Sequence, residues 1–136
     1  MDARDQRRRE RLEQERPLLE QTFPSAHLDV EARVVILTGH RLPPGWSHAD
    51  TDVLIEIPDK YPSTPPDNVC ARPDLTLADG RKPQNNQGHR QIAGRRWLQF
   101  SYHVEPSGWR PDVTLARSTT LADYLHGALA RFEEAT

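Results

Sequence analysis

Apolar positions along this chain fall in continuous runs through its first half and at helical spacing near its end. Val34-Val35-Ile36-Leu37 is apolar at every position and mostly β-branched, which predicts a buried strand. Val53-Leu54-Ile55-Glu56-Ile57 predicts another, stopped by Pro58. His27 to Glu31 lies just before the first run, Asp67 to Ala71 supplies a short strand ahead of Pro73, and Leu42-Pro43-Pro44-Gly45 turns the chain between the runs. That order predicts a four-stranded antiparallel meander. From Arg72 to Arg96 the chain is rich in Gly, Asn, Gln, Arg and Pro with little periodicity, so a long irregular loop is expected, functional or disordered.

Helices are predicted at both ends. Leu121, Tyr124, Leu125, Ala128, Leu129 and Phe132 recur at helical spacing behind Ser118, Thr119 and Thr120 as candidate N-caps, giving an amphipathic closing helix. Residues 1–16 hold six arginines (4, 7, 8, 9, 11, 16) and five acids, helix-compatible and nearly balanced in charge. Pro17 either breaks this helix or begins a second one at its first position, where the missing N–H costs nothing, with Leu18, Leu19 and Phe23 packing inward. Residues 1–16 therefore read as a charged helix or partly frayed extension, and residues 17–136 as a single α+β domain with helices on one side of an antiparallel sheet.

Composition narrows the function classes. The chain has 136 residues, the size of one domain, and its mean hydropathy is -0.80, but three Trp, three Tyr and three Phe give a core its anchors. A net charge of -2 provides no field for nucleic acid or an anionic membrane, and the balanced N-terminal charges argue against a nucleic-acid arm. One cysteine excludes an internal disulfide and cannot make a Cys-based zinc site unless His or carboxylates complete it; the six histidines are scattered, with only His48 near a carboxylate, Asp50, so neither metal nor cofactor is expected. No apolar run is long enough for a membrane span or a signal peptide, which predicts a soluble cytoplasmic protein.

The candidate chemistry centres on Ser101 and His103. On an extended segment residues two apart face the same way, so the imidazole stands where it could take the Ser101 proton and raise an otherwise poor nucleophile. Cys70, on a short apolar strand, reads as a buried hydrophobe. Trp97, Phe100 and Trp109 read first as aromatics packing a loop, with a groove wall as the second role. Tyr102 joins the groove candidates, and Asn85 and Asn86 are candidate hydrogen-bond donors to a bound chain or an oxyanion.

Ser101 stands eight residues before Trp109-Arg110-Pro111, and upstream runs Tyr61-Pro62-Ser63-Thr64-Pro65-Pro66-Asp67. With Gly94-Arg95-Arg96-Trp97 and Ser101-Tyr102-His103 between them, the chain, over roughly residues 17–134, resembles the ubiquitin-conjugating superfamily and most of all its prokaryotic family E. The resemblance implies the ubiquitin-conjugating-like fold, with residues 72–96 as the active-site loop and a serine where the eukaryotic enzymes carry cysteine. Their His-Pro-Asn tripeptide has no counterpart in Lys82-Pro83-Gln84-Asn85-Asn86. It further implies a ubiquitin-like protein as substrate, a ThiF-type activating enzyme docking on the first helix at Arg7, Arg8 and Arg11, and a JAB-type isopeptidase in the same pathway, of the stress or antiphage kind.

Two functions compete on these residues. One is an acyl transferase that holds the ubiquitin-like C-terminus as an oxyester on Ser101, with His103 as base, and passes it to an amine. The other is a non-catalytic adaptor of the same fold. An ester hydrolase is weaker, since no Gly-x-Ser-x-Gly elbow is present.

Overall fold

A computed structural model describes residues 2–136. Helix α1 spans Ala3–Thr22, and the strands are β1 (Ala26–Asp29), β2 (Val34–Arg41), β3 (Asp50–Glu56), β4 (Asn68–Ala71), β5 (Asn86–Ile92) and β6 (Arg95–Ser101); helix α2 spans Leu121–Leu129. The fold is α+β, with six strands among the described residues rather than the four expected. They form one antiparallel sheet in the order β1-β2-β3-β4-β6-β5. The first four are the expected meander. The chain then crosses to the far edge as β5 and returns as β6, which inserts between β5 and β4.

Strand β5, the hairpin turn and the start of β6 lie inside the segment expected to be irregular. That turn is Ala93-Gly94, with φ of 52° and 76°, so both central residues take the left-handed conformation that matches the twist of paired strands. β5 is an edge strand of polar residues with only Ile92 buried, so it shows no apolar alternation. The irregular part shrinks to residues 72–85, and even there Leu75 and Leu77 are buried and Leu77 pairs with Trp46.

Alternation along the central strands divides the apolar residues between two faces. Leu28, Val35, Leu37, Val53, Ile55, Val69, Leu98 and Phe100 pack beneath the helices against Leu12, Leu19, Leu121, Leu125 and Phe132. Val34, Leu54, Cys70, Ile92 and Trp97 form a smaller cluster on the other face. Continuous apolar runs such as Val34-Val35 therefore serve both faces at once.

Helix α1 runs unbroken through Pro17, so the expected boundary between residues 16 and 17 falls inside it. Asp2 caps it by accepting from the Asp5 N–H at 2.8 Å. Its buried residues are Arg11, Leu12, Glu15 and Leu19, one face in which an ion pair replaces apolar side chains. The Glu15 carboxylate, 1% exposed, accepts from Arg11 Nε at 2.8 Å, from the Tyr61 hydroxyl and from the Leu121 N–H at 2.7 Å. It thereby satisfies an N–H at the start of α2, where the helix dipole also favours a negative charge. Arg11 donates onward to the Asp112 carbonyl at 2.6 Å and to Ser118 Oγ at 2.6 Å. Burial and the adjacent Glu15 charge raise the Tyr61 pKa. Thr120 is the N-cap of α2, with Asp123 completing a capping box.

Candidate functional site

The crossing of the chain from β4 to β5 and back sets the site. Ser101 is the last residue of β6; its partner across β4 is Asn68, and on the other side its N–H donates to the Asn85 carbonyl at 3.3 Å. Phe100 turns under the helices with no exposure, so alternation puts Ser101 on the helix-free face with Gln99 and Trp97. Ser101 is half-buried and its hydroxyl makes no hydrogen bond within the described residues.

The strand stops there, and the segment after it is held at two points. Tyr102 donates its N–H to the Asp67 carbonyl at 3.1 Å and receives on its own carbonyl the Tyr124 hydroxyl at 2.8 Å. Its ring meets Tyr124 edge-on, with centroids 5.2 Å apart. Trp109, 7% exposed, donates Nε1–H to the Pro62 carbonyl at 2.8 Å and packs against Tyr61. The intervening His103 is exposed and not hydrogen-bonded to Ser101, because the extended backbone needed for the same-face relation ends at Ser101.

Two groove candidates are corrected by burial. Trp97 has no exposure: it lies in the small cluster on the helix-free face, its Nε1 has no partner among the described residues, and the Arg95 guanidinium covers its ring at 4.3 Å. Trp109 is packing that pins the 102–108 segment to the Tyr61-Pro62 loop. Both are interior because a large indole gains more by filling the core than by lining a polar rim. Asn86 spends its amide on the Pro83 carbonyl at 2.6 Å. Asn85 is exposed, has φ of 64°, and keeps its carboxamide free of hydrogen bonds within the described residues. Asn68, on the other flank of Ser101, belongs to the site although no periodicity marks it: its Nδ2 donates to Asp67 at 3.1 Å and its Oδ1 is buried without a partner among the described residues.

The proposed docking arginines also separate. Arg11 is buried in the Glu15 network and Arg8 is paired with Asp5 and Asp59, leaving Arg7 exposed and without an ion pair among the described residues. Arg4, Arg7, Lys60 and the Tyr61-Pro62-Ser63 loop nevertheless line a groove of about 590 Å³, with Val113 beside it 93% exposed. No helix among the described residues is long and apolar enough to cross a membrane, and no group of three His, Cys, Asp or Glu side chains among them is arranged to hold a metal ion.

Cys70 has no exposure, and burial, with the Glu56 charge second, pushes its thiol up to about 12. At pH 8 roughly one thiol in ten thousand is then the reactive thiolate. Native protein should resist iodoacetamide at pH 8 and take up one carbamidomethyl group per chain once denatured, as read by intact mass. Rapid labelling of the folded protein would show that this strand opens.

Residues 14–131 match the model of the family described as Prokaryotic E2 family E. No curated protein and no solved structure matches the chain.

Proposed function

This chain belongs to Prokaryotic E2 family E, and from that premise we propose that it accepts the C-terminus of a ubiquitin-like protein on Ser101 and passes it to an amine. The family gives a ubiquitin-conjugating-like role in general, with a ubiquitin-like protein and an activating enzyme as partners. The observation that supports the finer reading is the exit of β6: a half-buried serine with an unengaged hydroxyl, between two asparagines, on the strand end preceding the Trp109 anchor.

In this reading the Ser101 oxygen attacks the activated C-terminal carbonyl. The bond to the leaving group breaks as the oxyester forms, and His103 takes the hydroxyl proton and returns it to the departing group. The target amine then attacks the ester, the C–O bond breaks, and Ser101 recovers a proton as the amide forms. His103 is exposed and free to turn toward Ser101; catalytic hydrogen bonds often tighten only in the bound complex. Asn85 is the better placed donor to the oxyanion, since the amides of Asn86 and Asn68 are engaged. The groove beside Arg4, Arg7 and Lys60 would receive an acidic, partly apolar face of a ThiF-type activating enzyme.

The absence of a hydrogen bond between Ser101 and His103, with the strand ending at Ser101, favours a second reading, an adaptor that binds the ubiquitin-like protein without forming a bond to it. Incubation with the ubiquitin-like protein, its activating enzyme and ATP, followed by intact mass, decides between them. An adduct that survives thiol reductant and is cleaved by hydroxylamine is expected. A stable complex with no adduct would establish the adaptor instead.

A further inference from the structure

Helix α2 carries a glycine at residue 127, in a nine-residue helix that is otherwise well formed and capped. Glycine in a helix interior costs about 1 kcal/mol relative to alanine, so its presence calls for a packing reason. A Cβ built at Gly127 would overlap the Tyr102 hydroxyl and stand 3.2 Å from the Tyr102 Cζ. The phenol occupies the space that a side chain would fill. The Tyr102 hydroxyl makes no hydrogen bond within the described residues, so shape alone places it there.

Tyr102 is thus gripped through its ring by Gly127 and Tyr124, through its N–H by Asp67 and through its carbonyl by the Tyr124 hydroxyl. It lies between Ser101 and His103, so its orientation sets where both of those side chains start. We propose that the fit of Tyr102 against Gly127 positions Ser101 and His103 for acyl transfer, which makes Gly127 and Tyr102 positioning residues. This inference rests on Ser101 being the acyl acceptor.

Gly127→Ala should bind the ubiquitin-like protein as the wild type does but form the adduct about 10- to 100-fold more slowly, the scale expected when reacting groups are displaced by about an ångström. Tyr102→Ala, which leaves α2 unstrained, should show the same loss. Tyr102→Phe in the Gly127→Ala background removes the overlapping oxygen, leaves only the milder 3.2 Å contact with Cζ, and should recover most of the lost rate, a coupling that independent sites would not show. The backbone amide resonances of Ser101 and His103 should move in Gly127→Ala and return in the double variant. A wild-type rate in Gly127→Ala, or no rescue by Tyr102→Phe, overturns the proposal. Unmoved Ser101 and His103 amides in Gly127→Ala refute the clamp whatever the activity, whereas a wild-type protein that forms no adduct removes the Ser101 reading and the positioning role with it.

Discussion

Ser101→Ala is expected to abolish adduct formation while leaving the fold and the non-covalent complex intact. The side chain is half-buried at the end of β6 and its hydroxyl is tied to nothing within the described residues, so its loss removes no interaction that stabilises the protein. What it removes under the proposed reaction is the atom that forms the bond, and loss of a nucleophile lowers the rate on the order of 10³-fold or more. Ser101→Cys makes the complementary prediction. A thiol is partly ionised at neutral pH and intrinsically more nucleophilic, so the adduct should form faster and change from hydroxylamine-cleaved but reductant-stable to reductant-cleaved. Intact mass before and after each treatment reads all three proteins. An adduct that persists in Ser101→Ala would place the acceptor elsewhere, with Cys70 excluded by its burial.

Glu15→Ala is expected to be the most destabilising single change in the α1 face. The Glu15 carboxylate is the hub on which Arg11, the Tyr61 hydroxyl and the first N–H of α2 converge. Removing it strands the 7% exposed Arg11 as an uncompensated buried charge and orphans two donors, for which about 3–5 kcal/mol is the usual scale. Because the network joins α1, the Tyr61 loop and the 112–118 segment, its loss should also loosen the groove proposed for the activating enzyme. Urea unfolding should show a lower midpoint at unchanged slope. The charge-free pair Arg11→Met with Glu15→Met should be markedly more stable than Glu15→Ala, because both charges leave together. A midpoint in Glu15→Ala near that of the wild type would mean that water reaches the pair and the network carries little.

Legibility tracked the physical signal available to each element. β2 to β4 were readable as short, continuous apolar runs bounded by proline and turn residues, and α2 because its apolar residues recur at helical spacing behind capping residues. β5 was not, since an edge strand such as Asn86–Ile92 has almost nothing to bury and its Ala93-Gly94 turn is a weak signal beside Asn-Gly. The continuity of α1 through Pro17 was hidden for a related reason: its inward face is built partly of Arg11 and Glu15, which look like surface residues until their partners on α2 and the Tyr61 loop are in place.

The α+β class, the strands of the meander, the closing helix and the order of the Tyr61, Ser101 and Trp109 landmarks are all written in the order of residues, because they depend on local hydrophobic pattern and spacing along the chain. The insertion of β6 between β4 and β5, which flanks Ser101 with Asn68 and Asn85 rather than with its sequence neighbours, emerges from packing. So do the burial of Trp97, the structural role of Arg11 and the contact of Tyr102 with Gly127. All of these share one cause. Each is a contact between residues far apart along the chain, or the burial such contacts produce, and is settled by how the elements pack rather than by local propensity.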